Sequence, residues 1–307
     1  MVSKFIPPNI ILFLLLLYNE LIMEKVLKES QLSGVDAQVL KIITIGDEEQ
    51  RGREIHDFVQ KRIATLEQYN GQFVPGNSPF VDTFIGSRVI VRPGRWTPVG
   101  YYFDDPVGTI ELPLQYFAWI NEKTSIGEGN YQSQALRLAF ESISNYFGGD
   151  IPRLDAGSAK YNLLYKHSDL DPINESEMKV ASIRLFYEKR LAECTERSIF
   201  AHNLLLVLGL RDTLCFGKVS LSASAKKEVA HAFNIFTNKN NGAYITDFTL
   251  PILKKGLDEH KYFSVFVKKL SSDQFEQLKK GCPVSLDYPS LAMQEGTQIT
   301  YQIDQFI

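Results

Sequence analysis

Residues 193–209, ECTERSIFAHNLLLVLG, decide the fold. From Thr195 to Leu208 the apolar residues fall on nearly every side of a helix, the pattern of a helix buried in a core and not laid on a surface. Gly209 is its C-terminal stop, because glycine takes the left-handed conformation without a steric cost. Cys194 opens the helix at the other end. The first backbone N–H groups of a helix have no partner within it and face an anion directly, so this position favours thiolate, the form in which sulfur is a nucleophile. Glu193 and Glu196 flank the cysteine and are suited to cap the helix start, but their charges oppose a thiolate. A nearby imidazole has to outweigh them.

Three strands follow, at Leu214–Leu221, Ala230–Thr237 and Ala243–Phe248, with Asn238–Gly242 as the hairpin turn between the last two. The order helix, strand, strand, strand predicts an α+β fold in which the cysteine-bearing helix packs on an antiparallel sheet. His231 begins the second strand and Asp247 ends its hairpin partner, so antiparallel pairing brings both to one end of the sheet. A carboxylate there would fix the tautomer and orientation of the histidine. Cys194, His231 and Asp247 are therefore the candidate catalytic residues. The other residues of these types have plainer readings. Cys215 lies inside a strand and reads as core, and Cys282, between Gly281 and Pro283, reads as a turn residue. His202 reads as a buried polar group of the helix, while His56, His167 and His260 sit in polar contexts with no constellation around them.

The rest of the chain sets the frame. With 307 residues and 3 cysteines it has no disulfide framework and no zinc-type spacing, which points to free thiols in a reducing, cytoplasmic setting. A net charge of −3 without a basic block gives no footprint for nucleic acid. The triad chemistry requires no metal or dissociable cofactor.

Residues 1–22 contain the apolar run Ile10–Tyr18, too short to span a bilayer as a helix. Either Met23 is the true start, or residues 1–22 are an anchor or export signal that would bring the protein to a membrane. Residues 23–150 form an N-terminal helical and β-rich extension. Ile55, Phe58, Val59, Ile63 and Leu66 mark a helix over Glu49–Tyr69, residues 71–119 read as short strands and turns, and Gln132–Phe147 reads as a helix ending at Gly148-Gly149. The aromatic residues between 96 and 119 suit either a core of short strands or a substrate-recognition module. Residues 151–307 hold the core and a sheet extension, with a linker or site-flanking loop over residues 150–175. Tyr262–Leu270 and Gln298–Ile303 read as strands and Ser272–Lys280 as a short capped helix.

The segment Cys194–Pro251 resembles the core of the transglutaminase-like superfamily, itself related to papain-like cysteine peptidases. The likeness rests on Cys194 leading a helix that ends in Leu208-Gly209, on His231 followed by Phe233, and on Asp247-Phe248-Thr249. It covers about 60 of the 307 residues. The resemblance implies a papain-like core with Cys194 as nucleophile, His231 as general base and then acid, and Asp247 as its orienter, acting on a protein or peptide amide. It also leads one to expect a glycine shortly before the cysteine and an upstream oxyanion donor. Residues 178–193 contain no Gly, Pro or Gln; the Cys194 N–H supplies one donor, and Gln132, Asn162 and Asn174 are candidates by residue type for the second.

Three reaction classes stay open. The first is acyl-enzyme chemistry of peptidase, deamidase or transglutaminase type. The second is an arylamine N-acetyltransferase-like enzyme, which shares the Cys-His-Asp order but has its cysteine much nearer the N-terminus. The third is a non-catalytic binding protein on the same core.

Overall fold

The computed structural model describes residues 34–70, 100–146, 171–172, 179–189, 191–221, 228–238, 242–249, 267–287 and 298–306. Helices α1 (Val35–Ile43), α2 (Glu48–Asn70), α3 (Pro106–Thr124) and α4 (Tyr131–Tyr146) pack together and against α6 (Cys194–Val207), the buried helix read from the sequence. A short helix α5 (Ile183–Glu188) precedes it. The predicted stop at Gly209 is a Schellman motif: φ is +82°, the Gly209 N–H donates to the Leu206 carbonyl at 3.1 Å and the Leu210 N–H to the Leu205 carbonyl at 2.9 Å. A Cβ at Gly209 would also come within 3.0 Å of the Asp36 backbone nitrogen, so the glycine serves the close approach of α1 as well.

The main sheet is antiparallel and has six strands in the order β7-β6-β5-β4-β9-β8. They are β4 (Arg211–Leu221), β5 (Val229–Thr237), β6 (Ala243–Thr246), β7 (Val267–Lys269), β8 (Val284–Asp287) and β9 (Gln298–Phe306). Side chains alternate across it as the two-residue period requires. Leu214, Phe216, Ala232, Phe236 and Tyr244 join the helical core under α6, while Cys215, Phe233, Ile235, Ile245 and Tyr301 build a second core on the other face. That second core is closed by α7 (Ser272–Lys279), whose N-cap Ser271 accepts from the Gln274 N–H at 3.1 Å. Asp287 on β8 acts on Lys268 on β7, raising a pKa that burial lowers, although these strands are opposite edges of the sheet.

A small separate sheet joins β1 (Gly100–Tyr102), β2 (Asp171–Pro172) and β3 (Lys179–Ser182) in the order β1-β3-β2, with β1 and β3 parallel. Asp171-Pro172, inside the stretch expected as a linker or site-flanking loop, thus pairs in extended form with Lys179 and Val180.

The fold is α+β, with one correction to the N-terminal region. A helix runs over residues 106–124, so residues 106–119 are helical where strands and turns are expected; residues 71–99 lie outside the described residues. Asp105 caps that helix by accepting the Gly108 N–H at 2.9 Å, and Pro106 occupies its first turn, where a missing N–H costs nothing. Ile110, Leu114, Phe117 and Ala118 then bury at helical spacing. Pro113, of the residue type that ordinarily breaks a helix, is buried inside this one. Among the described residues, the extension before residue 150 is helical apart from β1. No described helix is long and apolar enough to cross a membrane; the run Ile10–Tyr18 lies outside the described residues.

Candidate active site

Cys194 is the first residue of α6, half-buried, and packs against the helical core. Glu196 turns back so that its Oε2 accepts the Glu193 N–H at 2.9 Å, half of a capping box. Glu196 is fully buried, and its charge acts on the equally buried Arg197, which offsets it. Burial still lowers the Arg197 pKa to about 10, with Glu196 pulling the other way.

His231 and Asp247 meet as the hairpin register requires. Asn234 pairs with Thr246 and Thr237 with Ala243, so the strand carrying His231 runs back past the end of β6, where Asp247 sits. His231 Nε2 lies 2.7 Å from Asp247 Oδ2, with 10% of the His231 side chain and none of Asp247 exposed. Burial opposes a charge on this ring and is the largest single influence on it. The Asp247 charge and hydrogen bond, followed by a hydrogen bond to Cys194 and the charge of its thiolate form, override it and raise the His231 pKa from 6.5 to about 10. Cys194 is a second hydrogen-bond partner of the His231 ring, beside Asp247. The structure thus brings together all three residues singled out in the sequence.

Asp247 is fully satisfied. Its Oδ1 accepts the Thr249 N–H at 3.0 Å, and its Oδ2 accepts the Tyr301 hydroxyl at 3.0 Å in addition to His231. Tyr301 is buried on β9 and is missed by the sequence reading, which sees only a strand there. Its ring meets Phe233 edge-on at 4.9 Å, and Phe233 in turn stacks near His231 at 6.2 Å. The imidazole is therefore held by a carboxylate on one side and a wall of aromatic rings on another. Gly217 pairs with His231 across β4 and β5 and marks a bulge against β9; a Cβ there would lie 1.9 Å from the Gln302 carbonyl oxygen. Only glycine lets β9 come close enough to deliver Tyr301.

The other sequence candidates separate cleanly. Cys215 is wholly buried and burial raises its thiol pKa further from use as a nucleophile, while Cys282 is exposed past the end of α7. His202 is buried with its Nδ1 2.8 Å from Asp212 Oδ2. His56 pairs at the surface with Glu111. His167 and His260 lie outside the described residues, as do Asn162 and Asn174.

Gln132 cannot serve the oxyanion. Tyr131 donates its hydroxyl to the Leu208 carbonyl at 2.8 Å, whereas Tyr146 stacks on Phe200 at 4.8 Å, so α4 runs antiparallel to α6 and its start, with Gln132, lies at the end far from Cys194. Among the described residues, no group of three or more His, Cys, Asp or Glu could hold a metal ion. No family model, curated protein or solved structure matches this chain.

Proposed function

We propose that this protein is a thiol-dependent hydrolase or acyltransferase acting on protein or peptide amides, built on a papain-like core of transglutaminase type within residues 151–307. The observation that carries the reading is the double engagement of His231, by Asp247 on Nε2 and by a hydrogen bond to Cys194; Nδ1 is the nitrogen assigned here to the cysteine. An imidazolium beside a thiol stabilises the thiolate, and the partly exposed position of Cys194 leaves it open to a substrate.

The reaction follows from those contacts. The Cys194 thiolate attacks the amide carbonyl carbon, and the carbonyl oxygen takes the electron pair beside the N–H groups at the start of α6. As the C–N bond breaks, His231 gives its Nδ1 proton to the departing amine, leaving a thioester on Cys194. Water or a second amine then attacks the thioester and passes a proton back to Nδ1, the C–S bond breaks, and the thiolate–imidazolium pair is restored. Asp247 holds the ring throughout. Three cysteines not joined in disulfides fit a cytoplasmic, reducing setting.

Iodoacetamide labelling followed by peptide mapping tests this. Cys194 should react much faster than the exposed Cys282, and His231→Ala should abolish the difference. Equal, slow labelling of both cysteines in the parent protein would sink the proposal. Incubation of the active protein with a glutamine peptide and a labelled primary amine then separates transfer, which incorporates the label, from hydrolysis, which does not.

A further inference from the structure

We infer that Asn234 and Asp212 are positioning residues that set the distance between Cys194 and His231 by clamping α6 to the sheet; the inference rests on the acyl-transfer reading above. Cys194, Ser198 and His202 recur every four residues and so lie along one side of α6. Facing them, the Asn234 side chain uses both amide hydrogens, donating to the Ser198 carbonyl at 3.2 Å and to Asp212 Oδ2 at 2.6 Å. The same Asp212 oxygen meets His202 Nδ1 at 2.8 Å. All four residues are buried. One amide and one carboxylate thereby bind two strands, β5 and β4, to two successive turns of the helix.

Apolar packing has little direction and tolerates small slips of a helix along its axis. Hydrogen bonds of this kind do not, which makes the clamp the element that fixes where α6 stands against β5. The lever arms are short. Cys194 is one helical turn, roughly 6 Å, from Ser198, and His231 is three strand residues, roughly 10 Å, from Asn234. A slip at the clamp therefore reaches the sulfur almost undiminished. Asn is the residue type the position requires, because it supplies two donors without charge, whereas Asp would face Asp212 with a like charge.

The test compares the parent protein with Asn234→Leu, which keeps size and removes both donors, and with Asp212→Asn, which keeps shape and removes the charge. Folding is followed by circular dichroism and thermal melting, and alkylation of Cys194 by iodoacetamide is timed at pH 6, with Cys282 as internal reference. The clamp predicts folded variants in which Cys194 alkylation at pH 6 slows by about 10- to 100-fold and regains speed only as the pH rises into the range of an ordinary thiol, while Cys282 is unchanged. A folded variant with the parent's pH 6 rate overturns the clamp. If Asn234→Leu fails to fold, Asp212→Asn decides by the same criteria, and failure of both overturns a positioning role in favour of a purely structural one. Slow, unselective alkylation in the parent itself would instead overturn the acyl-transfer reading and the clamp with it.

Discussion

Two buried His–Asp pairs lie on either side of β5, and they differ in what surrounds them. In the pair at the sheet rim, Asp247 has every oxygen engaged, by His231, Tyr301 and the Thr249 N–H, and the ring also meets Cys194. In the interior pair, Asp212 Oδ2 takes both His202 and Asn234, while its Oδ1 has no hydrogen-bond partner among the described residues. Both carboxylates are fully buried and both contacts are short, at 2.7 and 2.8 Å. A histidine beside an aspartate is therefore not a site by itself. What separates the two is a third group at the ring, and a half-buried sulfur is that group only at the rim.

Asp247→Ala breaks the rim pair most severely. It strands a buried imidazolium with no carboxylate, and urea denaturation should show a loss of about 3–5 kcal/mol, together with loss of fast Cys194 labelling. Unchanged stability would mean that the ring is neutral in the folded protein.

The next effect is on pH. Because the folded His231 pKa of about 10 lies above its ordinary 6.5, the stability that the charged ring contributes is complete below about 6.5 and is lost as pH rises through 10. Denaturation series on the parent and on His231→Gln should therefore diverge most at low pH and converge at high pH; parallel curves would contradict the assignment.

Gly217→Ala sharpens the comparison by acting on the rim alone. Its methyl would displace the Gln302 backbone and with it β9, at a cost of roughly 1–3 kcal/mol, while the ring resonances of His202 in a histidine NMR spectrum stay in place. Tyr301→Phe is gentler still. It removes one of the donors to Asp247 and should lower stability by about 1 kcal/mol and slow Cys194 labelling only a few-fold, since His231 and the Thr249 N–H remain. A loss as large as that of Asp247→Ala would make Tyr301 more than a support.

Much of this geometry is legible in the chain because it is local. Gly209 ends its helix through bonds within the last turn, and His231 and Asp247 belong to one hairpin, so spacing alone brings them to one end. Pro113 misleads because its place inside a helix depends on the Asp105 cap and Pro106 a turn or two earlier, and on a core built by distant helices. Tyr301 is invisible for a different reason. It comes to Asp247 from 54 residues along the chain, by way of a bulge at Gly217 that no period in the sequence announces. Asn234 looks like an interruption in an apolar strand; only the facing turn of α6 and Asp212 give it a purpose.

The central claim is that Cys194 and His231 stand as a thiolate–imidazolium pair held by Asp247. NMR titration of the His231 ring measures it most directly, with Cys194→Ala as the comparison. The ring should remain protonated through neutral pH and titrate near 10, and its pKa should fall when the cysteine is removed. A His231 ring that titrates near 6.5 in the parent protein, indifferent to Cys194, would contradict the account.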